Sequence, residues 1–270
     1  MTLSRLLLLS ATLVLSLLAS GARAANTAGS DNGRDLVLRY LHEVDCGTAA
    51  MAASPASQSR FEARLLKQVP PSQHDAERTA RMQALARRAS GCEHVKHQVR
   101  DISIMYDPNT RALLQQAADA GDRYALLSKM DTDDAAGADQ TRERLYEVVR
   151  SGDPLAISEI GMQLAPSRDP AQFGSPFQSG DMAGAFTWLL VACDLGLECG
   201  PASRELDRWC LRYGGGCAQD DLAGAMRLVL GEAYIDQIDA QRRVLVGRIR
   251  NRQWEGLFAP LANTVDPAAS

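Results

Sequence analysis

The sequence predicts an all-α protein, an α-α superhelix of antiparallel helical hairpins stapled by disulfides. Three observations carry that expectation. Ala, Leu, Arg, Gln and Asp are abundant while Val/Ile-rich alternating runs are almost missing, so helix formers dominate and nothing supplies a sheet. A break of small residues, a glycine and an aspartate recurs along the chain, the chemistry of tight turns between adjacent helices. Six cysteines form an even set, which in an exported protein argues for disulfides.

Export is read from residues 1–24. Arg5 supplies a positive start, Leu6–Leu18 is apolar apart from Ser10, Thr12 and Ser16, and Ala22-Arg23-Ala24 fits a small-x-small cleavage site. The stretch is too short for a membrane span, which needs roughly 20 apolar residues. No cysteine follows Leu18-Ala19-Ser20-Gly21, so the lipid-anchored alternative lacks its attachment point. Processing near Ala24/Ala25 leaves about 245 residues, enough for one large or two small domains, and no integral membrane segment. It removes Arg5 and Arg23 but no carboxylate, so the mature chain is more acidic than the formal charge of −4 of the whole sequence. An acidic chain without a Lys/Arg stripe has no electrostatic reason to seek nucleic acid. The expected address is periplasmic or secreted.

Residues 25–107 read as an N-terminal helical region. Ala25–Arg34 is small and polar and is expected to fray. Asp35–Val44 is a short amphipathic helix, Gly47–Pro55 an Ala/Ser-rich connection, and Ser57–Gln68 a helix that Pro70-Pro71 stops. Ser72 caps a longer helix to about Ser90, with Gly91 as its stop. Glu93–Met105 places Val95, Val99, Ile102 and Met105 at helical spacing, ending at Asp107-Pro108.

Residues 108–258 carry the recurrent pattern. Ala117-Ala118-Asp119-Ala120-Gly121-Asp122 leads into Tyr124-Ala125-Leu126-Leu127, and Val148-Val149-Arg150-Ser151-Gly152-Asp153 leads into Pro154-Leu155-Ala156. A third copy runs from Asp181 and Ala185 through Trp188–Gly196, with its acid, Glu198, one residue late. Glycine closes one helix in a left-handed conformation, aspartate caps the next, and alanines let the helices approach. Pro166–Gly180 is a long loop. Pro201 opens a helix at its favoured first-turn position, carrying Leu206, Trp209, Cys210 and Tyr213. Asp220/Asp221 cap a helix with Leu222, Ala225, Met226, Val229, Leu230 and Ala233 on one face. Ile238–Phe258 is the last helix, and the tail at 259–270 is expected to be disordered.

Over about Asn109–Tyr234 these units resemble the Sel-one-like repeat, a relative of the tetratricopeptide repeat, in degenerate form. The "G-x-x-Y-x-x-G" close of the second helix is missing, Ile160-Gly161-Met162-Gln163-Leu164 being its nearest counterpart. The resemblance implies a tetratricopeptide-like solenoid acting as a protein–protein adaptor or assembly factor.

Proximity pairs Cys193 with Cys199 and Cys210 with Cys217, leaving Cys46 with Cys92. Cys193–Cys210, bridging adjacent helices, is the rival pairing. Cys199–Cys210 is disfavoured because roughly ten helical residues separate the sulfurs by about 15 Å.

Candidate chemistry is sparse. Cys92, Glu93, His94 and His97 gather a thiol, a carboxylate and two imidazoles, but no third and fourth ligand follow at metal-site spacing, and a paired Cys92 is no nucleophile. His42 and His74 stand alone. Asp131–Asp134 reads as a solvated loop lacking calcium-loop spacing. No motif for a cofactor, a metal or a nucleophile elbow occurs, so none is expected. Trp188, Trp209, Tyr213 and Trp254 are core residues or, alternatively, the lining of a protein-binding groove. Arg242, Arg248 and Arg252, with Arg243 and Arg250, load the last helix as a polar cap or a surface for an acidic partner. The competing enzymatic reading is a cell-envelope hydrolase whose scattered acids, Glu159, Asp181, Glu198, Glu205 and Glu232, converge in a cleft with at least one desolvated.

Overall fold

Aspartates and serines start most of the helices, glycines end several of them, and apolar stripes decide how they stack. The computed structural model of the protein describes residues 32–95, 107–130 and 137–261. The leader, the 96–106 segment with His97, the acidic run 131–134 and the tail beyond 261 lie outside the described residues. Among the described residues the structure is helical throughout, with short 3-10 turns and no strand. In chain order the helices are α1 (residues 32–52), α2 (Pro55–Gln68), α3 (His74–Arg88), α4 (Pro108–Asp119), α5 (Arg123–Ser128), α6 (Ala138–Ser151), α7 (Pro154–Leu164), α8 (Ala183–Asp194), α9 (Arg204–Tyr213), α10 (Leu222–Leu230) and α11 (Glu232–Arg250).

The glycine–aspartate breaks act as expected. Gly121 and Gly152 take φ of 84° and 69°, which only glycine adopts without strain. The Asp122 carboxylate then accepts from the Ala125 N–H, and Asp153 accepts from Leu155 and Ala156, satisfying the exposed donors of α5 and α7. Arg34 of α1 ties the two caps together, lying 3.1 Å from Asp122 and also pairing with Asp153. One guanidinium reaching both caps means that α5 and α7 start side by side, and the two helices pack along each other.

Several boundaries differ from the sequence reading. Helix α1 already covers 32–34 and runs through Gly47 to 52, because Val44, Ala49 and Ala52 continue its buried stripe. Ser72 lies in a 3-10 turn (Pro71–Gln73) and donates no cap to α3. In the third break Glu198 is exposed; Ser203, whose hydroxyl accepts from the Leu206 N–H, caps α9, and Pro201 stays outside it. The expected single face from Leu222 to Ala233 splits at Gly231 into α10 and α11. Helix α11 ends at Arg250, so Trp254 and Leu257 follow it as turns. Ala259–Leu261, assigned to the tail, are held by the Leu261 N–H donating to Ala171 O at 2.9 Å.

Two apolar cores share one wall. The first joins Val37 and Leu41 of α1 to Ile157 and Ile160 of α7, Trp188 of α8, Leu245 and Ile249 of α11, and Phe258. The second joins Phe186 and Leu190 of α8 to Trp209 of α9, Met226 of α10, and Ile235 and Ile238 of α11. Helix α8, AGAFTWLLVACD, is apolar on nearly every side because it faces both. It meets α7 at Gly161, where an added Cβ would fall 2.5 Å from the Ala185 Cα and 2.6 Å from the Gly184 carbonyl oxygen.

That contact predicts opposite outcomes at two helical glycines. Gly161→Ala should lower stability by about 1–3 kcal/mol because backbone must move to admit the methyl. Gly247→Ala in α11, where nothing lies within 4 Å of the new Cβ, should raise it by about 0.5–1 kcal/mol. Urea unfolding of both variants measures the two signs.

Candidate functional site

The most concentrated chemistry lies where α1, α3, α5, α7 and α9 meet. Helix α9 opens Arg204-Glu205-Leu206-Asp207-Arg208, so its first two turns carry two acids and two bases. Asp45 of α1, buried, accepts from Arg204 Nε and Nη2 at 2.8 and 3.0 Å, a two-pronged contact. Arg88 and Arg208 stand 3.5 and 3.4 Å from the same carboxylate. Glu205 is paired by Arg204 at 2.7 Å and Arg208 at 3.4 Å. Asp207 accepts from Arg87 Nε and Nη2 at 2.9 and 2.7 Å, with Arg88 at 3.1 Å.

Four guanidiniums thus face three buried carboxylates, and the balancing fourth is Glu159 of α7. Burial pushes its carboxyl above the ordinary range; hydrogen bonds from Gln163 (Nε2, 2.6 Å) and Tyr124 and the field of Arg208 only partly offset this. Burial and the Glu159 charge likewise raise the Tyr124 and Tyr40 phenols, which stay protonated donors. Glu205 goes the other way. Burial pushes it up, but the attraction of Arg208 and Arg204 outweighs that and holds it low. The set is neutral as a whole, which is how this much charge can be taken out of water. Glu159, Gln163 and Tyr40 are half-buried, as are Arg204 and Arg208, so the network is recessed and still reaches solvent.

The residues singled out from sequence separate into groups. The cysteines pair as Cys46–Cys92, Cys193–Cys199 and Cys210–Cys217, the local arrangement, and Cys193–Cys210 does not form. Three disulfides fit an extracellular or secreted protein. Among the described residues no helix is long and apolar enough to cross a membrane. Trp188 and Trp209 are buried, which takes them off any docking surface; Trp188 stacks on Phe258 at 5.6 Å, and Trp209 lies 4.1 Å from the half-buried Tyr213. The cavity between Trp188, Phe173, Phe177 and Leu245 measures about 20 Å³, room for one water. Trp254 packs half-buried against the first core.

The last-helix arginines are mostly spent inside the fold. Arg242 grips Asp194 at 2.7 and 2.8 Å, and Arg250 donates to the Asp194 carbonyl, so both fasten α11 to the end of α8. Arg248 donates to the Glu255 carbonyl, and Arg252 is exposed. Of the five acids, Glu159 and Glu205 share the field of Arg208, whereas Asp181 binds the Tyr234 hydroxyl at 2.8 Å, Glu198 is exposed and Glu232 pairs with Arg227. His94 is exposed and pairs with Glu43 at 2.9 Å; His74 bonds the Val69 carbonyl. Asp45, Arg87, Arg88, Arg204 and Arg208 escaped the sequence reading. Only the Arg204-Glu205-x-x-Arg208 spacing hints at a local pair, and Asp45 arrives from 159 residues away.

The two glutamates predict opposite pH effects. The folded-state value of Glu159 is raised above its unfolded one near about 4.3, so the stability it contributes is present below that value and lost as pH rises through the folded one. Glu159→Gln should therefore stabilise the protein at pH 7, the gain vanishing below about pH 4. The lowered Glu205 contributes stability above the unfolded value that is lost as pH falls through the folded one, so Glu205→Gln should destabilise at pH 7. Melting temperatures across pH 3–8 check both. Compared with models of protein families, with curated proteins and with solved structures, the chain matches none.

Proposed function

We propose that this protein is an exported helical-repeat scaffold, of the Sel-one-like, tetratricopeptide-related type, that docks another protein as an adaptor or assembly factor. The observation that supports it is the pair of equivalent caps, Asp122 and Asp153, joined by Arg34. Equivalent atoms of successive hairpins lie within reach of one side chain, as stacking in register requires. Stacked hairpins present an extended face in place of a closed pocket.

The docking face we assign is the recessed network. Helix α7 presents Glu159, Met162 and Gln163 at helical spacing on one side, and Met162 is 42% exposed. An acid kept desolvated at a cost to stability is what a basic side chain or a terminal amine of a partner would neutralise. The test places a photo-cross-linking side chain at Met162, with Asn251 beyond α11 as control, in the exported protein. The expected result is one partner cross-linked from position 162 and not from 251, with the yield lowered several-fold by Glu159→Gln. Equal yields at both positions, or a yield indifferent to Glu159→Gln, overturn the assignment.

One feature favours a second reading, a hydrolase acting on envelope material. Glu159 held high and Glu205 held low on either side of Arg208 are an acid and a base in opposite states. In that case Glu159→Gln abolishes turnover of envelope glycans and leaves the cross-link intact.

A further inference from the structure

Outside the network, one other cluster gathers reactive side chains. His42 and Cys46 are four residues apart on α1 and share a face. Cys92, beyond the end of α3, is brought to them by the chain's return. The His42 ring nitrogen, Cys46 Sγ and Cys92 Sγ all lie within 4.8 Å of one another. His42 Nε2 stands 3.7 Å from Cys46 Sγ. In tetrahedral zinc coordination, with Zn–S near 2.3 Å and Zn–N near 2.05 Å, a nitrogen and a sulfur ligand sit about 3.6 Å apart and two sulfurs about 3.8 Å apart. The imidazole–sulfur edge is therefore already set, and the sulfurs need only part.

We propose that His42, Cys46 and Cys92 form a redox-gated site for a borderline-soft divalent metal of the zinc class, closed by the disulfide and opened by its reduction. An external dithiol supplies two electrons and two protons, becoming a disulfide as Cys46 and Cys92 become thiols. Metal binding then releases both thiol protons to solvent, and the ion takes two thiolates and one imidazole. Three protein ligands leave a fourth position for water, the pattern of an open site. His42 is exposed while both cysteines are buried, so the ion reaches the sulfurs from the imidazole side. Neutral imidazole and thiolates suit zinc and its cobalt surrogate and disfavour calcium or magnesium, which take oxygen ligands. The sequence offered His94 and His97 beside Cys92 for this role; the fold gives it instead to His42, while His94 is turned to Glu43.

The test is anaerobic titration of the full chain with cobalt(II), before and after reduction by a dithiol that is removed by gel filtration. Reduction also frees the other four cysteines, so the Cys46→Ser/Cys92→Ser variant is titrated in parallel to read what they bind. The expected result is one additional cobalt in the reduced wild type, with thiolate charge-transfer absorption and visible bands of tetrahedral cobalt. His42→Ala should weaken that ion by tenfold or more, and the oxidised protein should bind none. The proposal is overturned by equal uptake in wild type and Cys46→Ser/Cys92→Ser, or by affinity unchanged in His42→Ala. A reduced chain whose circular dichroism stays unfolded with stoichiometric zinc present overturns it too.

Discussion

The close crossing of α7 and α8 at Gly161 is the constraint on which the rest depends. Helix α8 is the shared wall of two apolar cores, so its distance from α7 sets where both cores close. Any side chain at position 161 would enter the backbone of Gly184-Ala185. Interiors pack at crystal-like density and do not absorb such an intrusion locally. Separation of these two helices would carry Trp188 off Phe258 and disturb Phe186 beside Trp209, which lie on opposite sides of α8. The same wall receives Arg242 and Arg250 at Asp194, so α11 is registered on α8 from its polar edge as well as its apolar one.

Around that frame the polar interactions do a different job. Each arginine of the network bonds to acids on elements far away in sequence: Arg204 to Asp45, Arg87 to Asp207. Glu77, buried in α3, accepts from the Cys217 and Ala218 N–H groups, and Arg81 donates to the Ala52 carbonyl at 2.8 Å. Burying such groups yields little net stability, because desolvation offsets most of the Coulombic attraction. What they supply is specificity of arrangement, since any slip of α3 against α9 would leave a buried charge unpaired. Glu159 is the exception within the set. Its carboxyl is raised by burial, so it works against folding at neutral pH, and that is why a functional role is assigned there and not to the well-paired Asp45 or Asp207.

The disulfides are divided in the same way. Cys193–Cys199 and Cys210–Cys217 close short loops, with sequence separations of 6 and 7, and fasten the ends of α8 and α9. Cys46–Cys92, with a separation of 46, spans α1 to the end of α3 and constrains the unfolded chain over a far longer loop. The longest-range staple is also the one with an imidazole at its sulfur.

What the sequence determined by itself was local. Helical class, the Gly121-Asp122 and Gly152-Asp153 breaks, the Asp221 cap and the two short disulfides all depend on groups within a turn or a short loop of each other, so residue order alone specifies them. Boundaries failed where packing overrode local preference, as in α1 running through Gly47 to keep Ala49 and Ala52 buried, or Ser203 displacing Pro201 at the start of α9. Which helix faces met was decided only by the tertiary structure. Gly161 on Ala185, Asp45 on Arg204, and His42 on the Cys46–Cys92 pair join residues through backbone geometry accumulated over several helices. A periodic apolar stripe says that a face is buried but carries no label for its partner, and a charged residue one turn away looks the same whether it faces water or an opposite charge.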